Sequence, residues 1–439
     1  MKKILIKFSS IIVNIIILTT FWTILFTPLY LISKKLGIGA TAFIAALYLT
    51  FLFVSIAYKR LWSFQIFNNK KGIIIFLSAV FTSFLVLLFL TNLVSRAHEA
   101  YKYLVTESKA GLEGAEYQID NTLGFKPVPN AKAFQTITGD KISIAYDKNG
   151  FRIPLSDASK INNSGKTDLL FLGCSFTFGA GCYAEETFPF LVAKDTHLSY
   201  INAGVSSYGL AHMLILAERL IPQYKPAYII LQYSPWLVSR GTSMIAPVSF
   251  FSLPTPYFAE INNGYVLELP IYSSQLKSMD FKQIKSSYHG KFIKFLFKEA
   301  LLFSLYDIWH YLKTEILLIT GQRPRPATNL RGVEKYAYNS IKTIAEKNGA
   351  TVIVLNLGDI EYSKNSHNLF SDTNVYFAEA DSLLNEFLKI SSSKDYFTEF
   401  CHWEFDDKDG ILIDYHPNAK AHRLIADSII KEINKTKNH

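Results

Sequence analysis

The chain has 439 residues, of which 49% are hydrophobic, 15% aromatic and 18% charged, with a formal net charge of +9. That is apolar for a soluble protein of this length, and the surplus sits in the first hundred residues. The basic excess does not mark a nucleic-acid binder, because lysine and arginine cluster beside apolar runs (Lys2, Lys3, Lys34, Lys35, Lys59, Arg60, Lys70, Lys71) and form no block in the second half.

Three apolar runs, 11–32, 38–58 and 72–94, are each long enough to cross a bilayer as a helix and hold almost no charge. The first is too long for a cleaved signal peptide and is read as an uncleaved helix. Lysine and arginine are richest before the first run and between the second and third, which predicts those segments on the cytoplasmic side. Three crossings then place everything after residue 94 outside: in a double-membrane bacterium, on the periplasmic face of the inner membrane. Residues 95–160 read as a polar helical connector and a lead-in of short strands, with turn signals at Asn121, Gly124, Pro127, Pro129, Asn130, Gly139 and Asn149-Gly150.

Residues 161–439 read as the main domain. Strands are predicted at 169–172, at a stretch ending at 202, at 228–233 and at 351–357. Helices are predicted at 187–193, 211–221 and 419–434. Strands alternating with helices imply an α/β fold whose parallel sheet is covered on both faces, with ligands at the carboxyl ends of the strands. The stretch 239–326 interrupts the rhythm with aromatic turns and an apolar helical run near 292–319, and is read as an insertion capping the sheet.

Two segments carry chemistry. In Phe171-Leu172-Gly173-Cys174-Ser175-Phe176-Thr177-Phe178-Gly179 a buried strand ends at a glycine and a serine follows two residues later. A sharp turn there lifts the hydroxyl to the top of the sheet and faces backbone N–H groups toward it, which suits a nucleophile and part of an oxyanion hole. Near the C-terminus, Ile413-Asp414-Tyr415-His416-Pro417-Asn418 sets a histidine two residues after a carboxylate, just before the last helix. A neutral histidine can take the serine proton, and a carboxylate on its other nitrogen fixes the tautomer. Either signal alone is weak: such a serine commonly caps a helix, and Asp414 and Asn418 can serve as turn or cap residues. His402 and His422 rank below His416. Glu404, Asp406, Asp407 and Asp409 read as a solvated acidic loop, and Arg240 as a surface cation or a contact for an anionic sugar. Cys174, Cys182 and Cys401 lack a zinc spacing and are read as small buried residues; Cys174–Cys182 is the nearest pair should a bridge form.

Together, a serine after the first strand and a histidine before the last helix resemble the SGNH (GDSL-like) hydrolase superfamily. The resemblance spans about 168–433 with the insertion left out, and the Asn149-Gly150-Phe151-Arg152 lead-in looks like bacterial membrane-anchored members. It implies a flavodoxin-like αβα sandwich, preceded here by three transmembrane helices. It also implies hydrolysis or transfer of acyl esters, often acetyl groups on polysaccharides, without metal or organic cofactor. In the first block Gly173, Ser175 and Gly179 match, and Cys174 replaces an aspartate outside the triad. In the second block, Asn202-Ala203-Gly204-Val205-Ser206-Ser207, Ser207 stands where the family has glycine, and Ser207 or Gly204 supplies a backbone oxyanion donor. The third block departs: Ser234-Pro235-Trp236 lacks the family's asparagine, leaving Ser234 or the Trp236 indole as substitutes. The last block matches at Asp414, His416 and Pro417 with one residue fewer between aspartate and histidine.

These features imply a membrane-anchored extracytoplasmic serine esterase. Ser175 is the nucleophile, His416 the base and Asp414 its orienting partner, and the N–H groups of Ser175 and of Ser207 or Gly204 form the oxyanion hole. Its substrate is an acylated carbohydrate or lipid-linked sugar; nucleic acid is not a partner. Two alternatives stand beside it: an envelope polysaccharide O-acetyltransferase using the same triad, and a binding or scaffold protein of envelope assembly that retains the fold.

Overall fold

The computed structural model describes residues 117–137, 140–157, 166–248, 251–262, 264–270, 313–357, 360–370, 375–380, 399–405 and 410–437. The three apolar runs and the 95–116 connector lie outside the described residues. Within the described residues no helix is long and apolar enough to cross a membrane. The chain divides into two compact units: Met1–Lys102 with Lys291–Glu315, and Tyr103–Gly290 with Ile316–His439. Every numbered strand and helix below lies in the second.

It begins with the lead-in. Tyr117–Asp120 (β1) and Gly124–Pro127 (β2) form an antiparallel hairpin. Lys132–Ile137 (β3), Asp140–Tyr146 (β4) and Arg152–Ile153 (β5) form a small antiparallel sheet. The main domain then alternates strand and helix: Leu169–Leu172 (β6), Ser175–Phe178 (α1), Phe188–Thr196 (α2), Tyr200–Asn202 (β7), Leu210–Tyr224 (α3), Tyr228–Tyr233 (β8) and Pro235–Gly241 (α4). Two hairpins follow, Ile245–Val248 (β9) with Phe251–Pro254 (β10), and Tyr257–Ile261 (β11) with Glu268-ended Gly264–Glu268 (β12). Where sequence reading gave aromatic turns, the described start of the insertion is therefore antiparallel strand. The apolar run near 292–319 is described only from residue 313, and 313–319 is helical. The alternation resumes with Leu330–Lys347 (α5), Thr351–Asn356 (β13), Ile360–Leu369 (α6) and Tyr376–Glu379 (β14), then a hairpin of Cys401–Phe405 (β15) and Gly410–Pro417 (β16), and finally Ala419–Lys437 (α7).

The central sheet has the order β14-β13-β8-β6-β7, and every neighbouring pair is parallel. Counting its strands in chain order gives 2-1-3-4-5, the flavodoxin-like arrangement. Successive strand residues point to opposite faces. Leu169, Phe171, Ile230, Ile353 and Leu355 meet Phe188 and Val192 of α2 and Ile425, Ile429 and Ile433 of α7. Their alternates Leu170, Leu172, Ile229, Leu231, Val352 and Val354 are also buried. On that face α3 lies against β6 and α5 against β13. Burial on both faces explains why these strands read as unbroken apolar runs. Each such side chain contributes about 1.5–3 kcal/mol.

The order reverses at β6: the chain first goes out to β7, then crosses back to β8 on the other side. Ligand crevices in open α/β sheets form beyond the carboxyl ends of the strands at such a switch. Ser175 begins the short helix that leaves β6 at this point.

Candidate active site

The turn after β6 is held by close backbone approach. A Cβ on Gly173 would sit 2.0 Å from Thr177 Oγ1 and 2.4 Å from Gln232 Oε1, so only glycine fits. Ser175 is the first residue of α1 and is 5% exposed. As a first helical residue its N–H has no partner within the helix. Helix α1 closes through Phe178 N to Cys174 O at 2.8 Å and Gly179 N to Ser175 O at 2.9 Å.

Two buried polar side chains clamp this turn. Gln232, fully buried near the end of β8, accepts from Cys174 N at 3.0 Å and Thr177 Oγ1 at 2.7 Å. Its amide donates to Ser234 Oγ at 2.9 Å and to Cys174 Sγ at 3.3 Å. Arg152, 2% exposed on β5, donates to the carbonyls of Phe178 and Gly179, both at 2.6 Å, and to that of Cys182. Its guanidinium also lies 4.4 Å from the centre of the Phe178 ring. The lead-in thus fixes the carbonyls that follow the candidate nucleophile.

The second block leaves β7 alongside α1. Asn202 Nδ2 donates to Thr177 O at 3.0 Å, and Asn202 Oδ1 accepts from Gly204 N at 3.1 Å. A Cβ on Gly204 would lie 2.5 Å from Phe178 N, so this glycine marks backbone contact. The Gly204 N–H is taken by Asn202. Ser207 has φ +68°, a left-handed conformation that favours glycine. The lead-in supports this loop too: Tyr208 OH donates to Phe125 O at 2.7 Å, and Tyr208 stacks on His212 with ring centroids 4.1 Å apart. His212 Nδ1 accepts from Gly209 N at 3.2 Å, so the ring proton is on Nε2, which donates to Leu123 O at 3.1 Å. Burial, with a smaller push from Arg240, brings the His212 pKa down to about 3.

In the third block, Ser234 is fully buried; its hydroxyl donates to Leu357 O at 2.5 Å and accepts from Gln232. The Trp236 indole N–H donates to Cys174 Sγ at 3.3 Å, and the ring is half-buried. Arg240 is half-buried against Tyr208, whose carbonyl accepts from Nη1 at 3.4 Å, so it links the second and third blocks.

His416 arrives from the far end of the chain. It stands just before the last helix, as the sequence indicates, near the end of β16. Cys401 pairs with Pro417 but His402 pairs with Asp414, so Tyr415 and His416 form an irregularity in the ladder. Bulges of this kind re-aim side chains and are common beside active sites. Strand β16 touches α1, and the His416 ring is edge-on to Phe176 with centroids 5.2 Å apart. Phe176 in turn lies 4.9 Å from Trp236, making a row of three half-buried rings beside Ser175. The Cys182 thiol donates to Pro417 O at 3.5 Å. Asn418 caps α7 by accepting from Ala421 N at 3.0 Å and ties back through Nδ2 to the carbonyls of Glu399 and Cys401. Asp414 is on β16, but its side chain lies outside the described residues, as do those of His402 and Glu404 and the whole of Asp406, Asp407 and Asp409. His422 is a core residue of α7, accepting from Phe188 N at 3.2 Å. All three cysteines are buried.

Sequence reading picked out Ser175 and His416, and the fold brings their segments together. It did not assign roles to Gln232 and Arg152. Gln232 carried a signal: a polar side chain in a strand otherwise made of apolar and aromatic residues must find buried partners.

No protein-family model and no curated protein matches the chain. Among solved structures it is similar to a protein of the G-D-S-L family from Desulfitobacterium hafniense, described as lipolytic, at 13% identity over 61% of this chain and 99% of that one, with a TM-score of 0.29. It is also similar to a catalytic mutant of the acetylxylan esterase Axe2 from Geobacillus stearothermophilus, at 11% identity over 62% of this chain and 96% of that one, with a TM-score of 0.32. Superposition at this level adds no weight to the strand order and site geometry described above.

Proposed function

We propose that this protein is a membrane-anchored, extracytoplasmic serine esterase that removes acyl groups, acetyl foremost, from a polysaccharide or glycolipid. The observation that carries the reading is the meeting of two distant segments at the sheet's switch point. Ser175 opens the helix after β6, and His416 is turned toward the same helix on an irregular strand end.

In the proposed reaction the Ser175 hydroxyl attacks the ester carbonyl as His416 takes its proton, with Asp414 orienting the imidazole. The N–H groups of Ser175 and Ser207 face the developing oxyanion. Gly204 serves by packing on α1, since its own N–H is bound to Asn202. His416 then returns the proton to the departing alcohol, and water resolves the acyl-enzyme by the same base catalysis. The anchor rests on the three apolar runs and the lysine bias between them.

The test is fluorophosphonate labelling and aryl-acetate turnover of the full-length protein in detergent, beside Ser175→Ala. Labelling and turnover lost in the variant support the reading. No labelling of folded wild-type protein refutes it and leaves a binding role in envelope assembly. Net acetyl transfer to an added polysaccharide in preference to water would point to the transferase.

A further inference from the structure

We infer that the Trp236 indole N–H is the third oxyanion donor of this site, held in reserve on the Cys174 sulfur until substrate binds. The inference rests on the serine-esterase reading and deepens it. The third strand of the sheet ends beside the nucleophile, and its loop offers Ser234 and Trp236 where an amide donor would otherwise stand.

Geometry separates the two. A serine hydroxyl has one hydrogen to give. Ser234 gives it to Leu357 O at 2.5 Å, is fully buried and accepts from Gln232, so nothing in the crevice can claim it. Trp236 is half-buried, and its N–H donates to Cys174 Sγ at 3.3 Å. Sulfur is a weak acceptor, so this bond is given up at little cost when a charged oxygen appears nearby. The same sulfur is 3.9 Å from Ser175 Oγ, so a single atom separates the indole N–H from the candidate nucleophile. The Cys174 thiol keeps Gln232 as a partner through both polar atoms of that amide, so it is not left alone when the indole moves. Phe176 packs against the indole, with ring centroids 4.9 Å apart.

The experiment compares wild type with Trp236→Phe, Cys174→Ala and the double variant, all full length in detergent, using aryl-acetate turnover and inhibition by a phenylboronic acid. The boronate forms a tetrahedral adduct on the serine oxygen. Trp236→Phe keeps a ring and removes only the donor. Its kcat is expected to fall about 10²-fold, as for loss of one oxyanion donor. KM should stay within about threefold, and boronate affinity should weaken in parallel with kcat. Cys174→Ala removes the resting acceptor together with the sulfur's contacts to Gln232 and Ser175 Oγ, so it serves as the background for a double-mutant cycle: the roughly 10²-fold effect of Trp236→Phe should persist in it.

Wild-type kcat in Trp236→Phe overturns the inference, as does a raised KM at unchanged kcat, which would make the ring a substrate contact. Equal losses in both single variants that do not add in the double would show that the indole merely holds Cys174, and overturn it too. Wild-type protein that neither labels nor turns over refutes the esterase reading and this inference with it, whereas Ser175-dependent turnover with an indifferent Trp236→Phe sinks the inference alone.

Discussion

The Cys182 thiol donates to the carbonyl oxygen of Pro417, 3.5 Å away and 235 positions later in the chain. This contact joins the loop after the candidate nucleophile to the residue that follows the candidate base. Burial, helped by Glu186 and opposed by Arg152, pushes the Cys182 pKa up to about 12. A thiol of that kind is almost never thiolate at neutral pH and should not react. Peptide mass spectrometry after iodoacetamide treatment at pH 8 should find Cys182 unmodified in native protein and modified once unfolded. Stoichiometric native labelling would show that the loop opens.

Arg152 is expected to matter for stability and activity together. Arg152→Met removes the guanidinium from three buried carbonyls, of which Phe178 O keeps Asn202 Nδ2 at 3.5 Å and Gly179 O keeps Cys182 N at 3.2 Å, and should cost about 2–3 kcal/mol. Arg152→Lys should recover only part, since an ammonium cannot spread over three acceptors as a planar fork does. Denaturant midpoints decide this, and a loss under about 1 kcal/mol for the Met variant would mean the carbonyls find other donors.

Gln232→Leu removes the acceptor for Cys174 N–H and Thr177 Oγ1 while roughly conserving volume. A destabilisation of about 2–3 kcal/mol is expected, with Thr177→Val near 1 kcal/mol. Equal, small effects of both in thermal unfolding would contradict a clamp centred on Gln232.

Ser207→Gly should preserve turnover within about threefold, because the proposed donor is a backbone N–H. It should also relieve up to about 1 kcal/mol of left-handed backbone cost. Ser207→Val should lose stability and activity, as a β-branched residue resists that conformation. If Ser207→Gly loses turnover as heavily as Ser175→Ala, the hydroxyl rather than the backbone is at work.

The His212 pKa lies near 3 in the folded protein, well below its ordinary value of 6.5. The unfolded chain therefore binds more protons between those values, and stability rises with pH across that window. The contribution is complete above about pH 6.5, falls as the solution is acidified and is fully lost by about pH 3. Unfolding of His212→Phe measured over this range should show a shallower pH slope than wild type. An unchanged slope would place the acid sensitivity elsewhere.

The central strands were legible because they are buried on both faces: Leu169–Leu172 and Tyr228–Tyr233 coincide with their predicted limits, whereas the partly buried edge strand Tyr376–Glu379 was not predicted. The hairpins at 245–268 were less so, since turn-rich aromatic sequence carries little period to read. The β15–β16 pairing was not legible at all, because strand pairing depends on the partner and not on the residues of one strand.

What the sequence by itself determined was the strand–helix alternation from 169 to 233, the closing helix and the two chemical segments, since burial period and residue type are local properties. It also named Ser234 and Trp236 as equal candidates for the absent asparagine. Only the tertiary structure separated them, because the availability of a donor depends on what its neighbours from other strands accept. The same holds for the two clamps: Arg152 is an ordinary arginine until folding brings three carbonyls around it, and Gln232 an oddity in a strand until the turn of Ser175 closes on its amide. Chemistry is written in residue types, but it acts through partners that the chain meets only after the sheet has formed.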